Sequence, residues 1–157
     1  MRAQTAIEFL MTYGWAILVI VVVGIALASL GFFSPGFWGG SKRITGFSDV
    51  GVEDFRYSNT NRNLTVILAN RYGSDVQITN AWLTYAGKTY GLNTTKPGDC
   101  NGTTLSTGQK KTCSFIFDTS VPSITGTISA TLTIEVTPTT GLRVPFNVSG
   151  TISGPVS

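Results

Sequence analysis

The chain has 157 residues, a formal net charge of +3 from 11 Lys+Arg against 8 Asp+Glu, and no histidine. The missing histidine removes Ser-His-Asp and Cys-His nucleophiles, a histidine general base and every histidine-bearing metal site; two cysteines exclude a four-thiolate zinc site. The small basic excess forms no stripe interleaved with aromatics, which argues against nucleic acid as a partner, and charged residues at only 12%, with Ser and Thr near a quarter of the chain, suit an exported β-rich surface protein.

In chain order, the first element is a long apolar helix. Residues 9–41 carry no charge, and residues 15–30 (WAILVIVVVGIALASL) are apolar except for Ser29. At the helical rise, residues 5–33 would span roughly 44 Å, more than the ~30 Å hydrocarbon core of a bilayer. The segment is apolar on every face, so it must be buried all round, in lipid or among other helices. Ser34-Pro35-Gly36 supplies the stop, because proline cannot continue the ladder and glycine frees the backbone. Residues 32–41 (FFSPGFWGGS) then read as a linker or hinge, with Phe32, Phe33, Phe37 and Trp38 as interface or packing aromatics.

Everything beyond reads as strands. Leu64, Val66 and Leu68 alternate with Asn63 and Thr65, and Val76 and Ile78 with Asp75, Gln77 and Thr79. Residues 82–85 and 88–90 flank an Ala86-Gly87 turn, and residues 113–117 form a short apolar run. Ile128, Leu132, Ile134 and Val136 alternate with hydroxyl residues; after a turn at 137–141, Leu142, Val144, Phe146, Val148 and Ile152 are expected to share one buried face. About seven such segments, separated by Gly, Pro and Asn, predict an antiparallel sandwich. The expected fold class is α+β: a long N-terminal hydrophobic α-helix followed by an antiparallel immunoglobulin-like β-sandwich.

The N-terminal order is the most specific signal. Arg2-Ala3 precedes Gln4, a lone Glu8 follows four residues later, and the apolar helix continues as AIEFLMTYGWA. This tract resembles the class III signal peptide of archaeal type IV pilin-like proteins, over residues 2–33. Leaders of that group usually carry more Lys and Arg than the single Arg2 here. The resemblance implies cleavage between Ala3 and Gln4 by a membrane-embedded prepilin peptidase, then polymerisation of identical subunits by the pilus assembly machinery. It implies four parts: leader peptide 1–3, hydrophobic assembly or transmembrane helix 4–33, linker 34–46 and head domain 47–157. The protein is then expected first in the cytoplasmic membrane and finally in an extracellular adhesive filament, acting as a structural subunit and not as an enzyme. An archaellin-like motility subunit and a monomeric secreted or membrane-anchored immunoglobulin-like binding domain are the alternatives. For the latter, Ala26-Leu27-Ala28 before Ser29 fits a secretory cleavage site.

Glu8 has a physical reason to matter beside the resemblance. A carboxylate in a membrane helix costs about 2.5–3.5 kcal/mol. Cleavage would give Gln4 a new α-ammonium, and two unit charges about 4 Å apart are worth about 4 kcal/mol at an effective dielectric near 20. Gln4 and Glu8 are therefore the expected assembly residues, within a helix or between neighbouring subunits. The simpler alternative has Glu8 snorkelling into headgroup water.

Cys100 and Cys113 bracket a polar loop. A disulfide between them would close about 14 residues and contribute roughly 3 kcal/mol in an oxidising exterior; two free thiols are the alternative. Four sequons, at Asn63, Asn93, Asn101 and Asn147, are candidate N-glycosylation sites, all expected to be exposed on outward strand phases or loops. Asp49, Glu53 and Asp54 match no calcium loop and read as a solvated turn, and Lys110-Lys111 as a solvated loop tip. No catalytic constellation, metal site or cofactor motif is expected.

Overall fold

A computed structural model describes residues 2–30 and 41–157. Among the described residues there is one helix, α1 (Arg2–Ser29). It is followed by β1 (Arg43–Thr45), β2 (Val50–Ser58), β3 (Asn63–Asn70), β4 (Val76–Tyr85), β5 (Lys88–Gly91), β6 (Thr104–Leu105), β7 (Lys110–Ile116), β8 (Thr127–Pro138) and β9 (Phe146–Pro155). The chain divides into two compact units, Met1–Gly39 and Gly40–Ser157.

α1 begins at Arg2, ahead of the expected start, and Ser29 is its last helical residue; Leu30 N–H still donates to the Ala26 carbonyl at 3.0 Å. The 34–36 stop, the four linker aromatics and residues 34–40 of the 34–46 linker lie outside the described residues. Residues Ile7–Ser29 form a 23-residue stretch of mean hydropathy 2.4, with none of its most apolar window buried within the chain. Because valine, isoleucine and leucine occur at every helical phase, no side of this stretch is polar enough to face water.

The second unit is a sandwich-like body of two antiparallel sheets. One runs in the order β1-β9-β8-β4-β5, with β6 also pairing β4; the other runs β2-β3-β7. Inward positions of both sheets meet in one core. Phe55, Tyr57, Leu64, Leu68 and Phe115 come from the smaller sheet, and Ile78, Leu83, Ile128, Leu132 and Ile134 from the larger. The alternation expected for β3 and β8 is present, as is the two-residue Ala86-Gly87 turn, with Tyr85 opposite Lys88. Ala86 (φ 50°) and Gly87 (φ 77°) both take left-handed backbone, the type I′ geometry that matches strand twist. Asn70, the buried polar side chain of the core, is satisfied: its amide donates to the Ser74 and Leu105 carbonyls and its oxygen accepts from Tyr72 N–H.

Four local expectations are corrected. β1 occupies Arg43–Thr45, inside the stretch read as linker, because these residues add an edge strand to β9. Glu53 and Asp54 are not in a turn but inside β2, where a bulge between Val52 and Asp54 breaks the period-2 pattern. Lys110 and Lys111 begin β7, and Lys110 pairs with Glu53 at 2.8 Å across the sheet. Leu142 and Val144 do not join the last strand: β9 starts at Phe146, and the two side chains are exposed.

Candidate functional site

The first candidate site is α1 itself. Ala3 and Gln4 lie in its first turn, and Glu8 follows one turn further along the helix. Glu8 is exposed, and Thr12 Oγ1 donates to its backbone carbonyl at 2.8 Å, a bond that spends the hydroxyl locally. Phe9 and Tyr13 stack one turn apart with ring centroids at 4.3 Å. From Phe9 onward, the described outward side chains are almost all apolar: Trp15 is 68% exposed and Ile20 71%. Such a rod exposes more contiguous apolar surface than a soluble monomer ordinarily carries, and its length and composition are those of a membrane anchor or a signal helix.

The second is the cysteine-bearing edge of the body. Cys100 and Cys113 form a disulfide, and both are buried. Cys113 lies on β7, which pairs with β3 on one side only. Residues 93–100 run along the other side. Ile116 N–H donates to the Pro97 carbonyl at 3.0 Å, Cys100 N–H to the Ser114 carbonyl at 3.1 Å, and Asn93 N–H to the Ile116 carbonyl at 2.8 Å. The loop thus covers a strand edge that would otherwise offer unpaired backbone groups to another chain. Gly98 makes the approach possible: at φ +97°, with the Ser114 carbonyl where a Cβ would stand, only glycine fits. Asp99 completes the seam, accepting from Ser114 N–H and, at 2.9 Å, from Ser114 Oγ. Burial alone would raise its carboxyl pKa; the Ser114 donors outweigh burial and hold it below the usual carboxylate range.

The sequons divide. Asn101 and Asn147 are exposed as expected. Asn63 and Asn93 are half-buried, which corrects their expected exposure. Asn63 opens the central strand of the three-stranded sheet, flanked by Ser58 and Ile116, and its Oδ1 is buried without a partner among the described residues. Asn93 Oδ1 is spent on Thr95 N–H and Lys96 N–H at 2.9 and 3.0 Å, an Asx-turn that starts the 93–100 loop.

No three of His, Cys, Asp or Glu are grouped for metal binding among the described residues. Asp54 instead accepts from Lys42 Nζ at 2.8 Å, and this bond draws its pKa below the usual value. Sequence reasoning passed over Trp82. It stands half-buried on the outer face of β4 and lines a shallow pocket of about 310 Å³ with Thr84, Thr89, Thr133 and Asn147. The signal for it is hidden, because a bulge between Ile78 and Asn80 reverses the strand phase. Val76 and Ile78 point inward before the bulge, Ala81 and Leu83 after it, and Trp82 and Thr84 are thereby turned out.

No protein-family profile matches the chain, and no curated protein matches it in sequence.

Proposed function

We propose that this chain is a pilin-like structural subunit that is cut between Ala3 and Gln4 and polymerises with copies of itself into an extracellular filament. The observation that carries the reading is α1: a helix long enough to cross a bilayer, apolar on all described sides, with Glu8 near its N-terminal end. In the precursor the helix sits in the membrane; in the filament the helices of many copies form the core. Glu8, one turn after Gln4, meets the new α-ammonium of its own or a neighbouring chain and holds register. The body, read as immunoglobulin-like because two antiparallel sheets face one core, forms the outer surface. Its disulfide and exposed sequons suit an oxidising exterior. The prepilin peptidase and the assembly machinery of the membrane are the partners this route requires.

Mass spectrometry of surface material tests the processing step. A mature chain that begins at Gln4 and sediments as long fibres supports the proposal. A mature chain that begins at Ser29 and stays monomeric overturns it in favour of a secreted binding domain.

A further inference from the structure

The outer face of the six-stranded sheet is paved with hydroxyls in register. Thr45, Thr151, Thr131, Thr84 and Thr89 stand side by side across β1, β9, β8, β4 and β5. Ser149, Thr133 and Trp82 form the adjacent row. Trp82 is the one aromatic at an outward strand position of this sheet among the described residues. The five residues lining its pocket carry no charge, so the pocket suits a neutral, hydroxylated occupant. A lone exposed aromatic is ordinary; this one shares its pocket with a sequon. Asn147 is exposed and lines the same pocket. It lies two strands and one row from Trp82, about 12 Å between Cα atoms at standard sheet spacings. Both residues line the one pocket of about 310 Å³, which has room for about one pyranose ring. Asn63 and Asn93, by contrast, have their side-chain oxygens buried or spent, and no aromatic lines the pocket that Asn93 borders.

We propose that Asn147 carries an N-linked neutral saccharide whose first ring is seated in this pocket, its C–H face on the indole of Trp82 and its hydroxyls among Thr84, Thr89 and Thr133. The inference rests on the exterior location given above. The bond forms between Asn147 Nδ2 and the anomeric carbon of a lipid-linked saccharyl phosphate; the lipid phosphate leaves with the bonding electron pair, and the amide nitrogen gives up one proton. The seated ring shields the indole from water and ties β9 to β4 across β8, which stiffens the exposed face.

The test uses full-length protein recovered from the cell surface. Glycopeptide mass spectrometry should find Asn147 occupied. Trp82→Ala should then lower the melting temperature by several degrees in the glycosylated protein, and by much less in an Asn147→Gln background. A second measurement does not depend on Trp82→Ala folding well. In a Trp15→Phe, Trp38→Phe protein, Trp82 is the remaining indole, and enzymatic removal of the sugar should shift its emission to the red. Asn147 found bare while Asn101 is modified overturns the proposal. So does an occupied Asn147 with the same Trp82→Ala penalty in both backgrounds, or an emission unmoved by deglycosylation. Filaments of chains that begin at Gln4 with bare Asn147 would leave the pilin-like reading standing and remove this one.

Discussion

Replacing Cys100 and Cys113 together by alanine should soften the body without dissolving the proposed filament. The bridge closes a sequence separation of 13, and a loop of that size contributes about 3 kcal/mol in the chain-entropy model. Both sulfurs are buried, so alanine is the better replacement: serine would add the cost of two buried hydroxyls. For a unit of this size, each kcal/mol moves the midpoint by about 4 °C, which gives a fall of about 12 °C. The loss should concentrate at residues 93–100, whose three backbone bonds to β7 would no longer be anchored by a covalent tie. Scanning calorimetry measures the midpoint, and hydrogen exchange at Ser114 and Ile116 measures the seam. Burying even ~1,000 Å² of apolar helix surface on assembly contributes about 25 kcal/mol as an upper estimate, far more than the bridge. Electron microscopy should therefore still show filaments in strong reductant. A midpoint that falls by less than about 3 °C would refute the loop-closure account and show that the backbone seam alone holds the edge. Filaments that dissolve on reduction would show that contacts between heads, and not the helical core, hold the polymer.

Glu8→Ala should leave processing intact but cut filament yield about tenfold or more, because the incoming ammonium loses a partner worth about 4 kcal/mol; normal filaments by microscopy would mean that the carboxylate only snorkels. Acid should destabilise the body: Asp99 and Asp54 have folded pKa values below their unfolded ones, so their stabilisation is present above about pH 4 and is lost as pH falls through the folded values. Melting curves from pH 7 to pH 2 should show this loss, and Asp99→Asn should flatten it. Ala86→Gly should raise stability by about 0.5–1 kcal/mol in denaturant titration, since alanine at φ 50° bears a left-handed penalty that glycine escapes; a loss of stability would place the strain elsewhere in the hairpin.

The sequence alone determined the parts of this protein whose signal is local. An uninterrupted apolar run specifies a helix that needs a partner on every side, whatever surrounds it. Leu64, Val66 and Leu68 in β3, and the six inward residues of β8, keep strict alternation because both strands are unbulged and central in their sheets. With two cysteines there was one possible intrachain pairing. Tertiary structure decided the rest. β2 was illegible because its bulge puts Val50 and Val52 on one phase and Phe55 and Tyr57 on the other, while all four are buried. β1 has three residues and no pattern of its own; its pairing with β9 makes it a strand. Leu142 and Val144 continue the period of β9 in sequence, yet the chain joins the sheet only at Phe146, and neither side chain reaches the core. Trp82 faces outward, within one pocket of Asn147, because one extra residue in β4 reverses every side chain after it. Periodicity reports phase only while the ladder is regular; where a bulge adds a residue, the pairing with β8 sets which face is buried, and that pairing lies about fifty residues away along the chain.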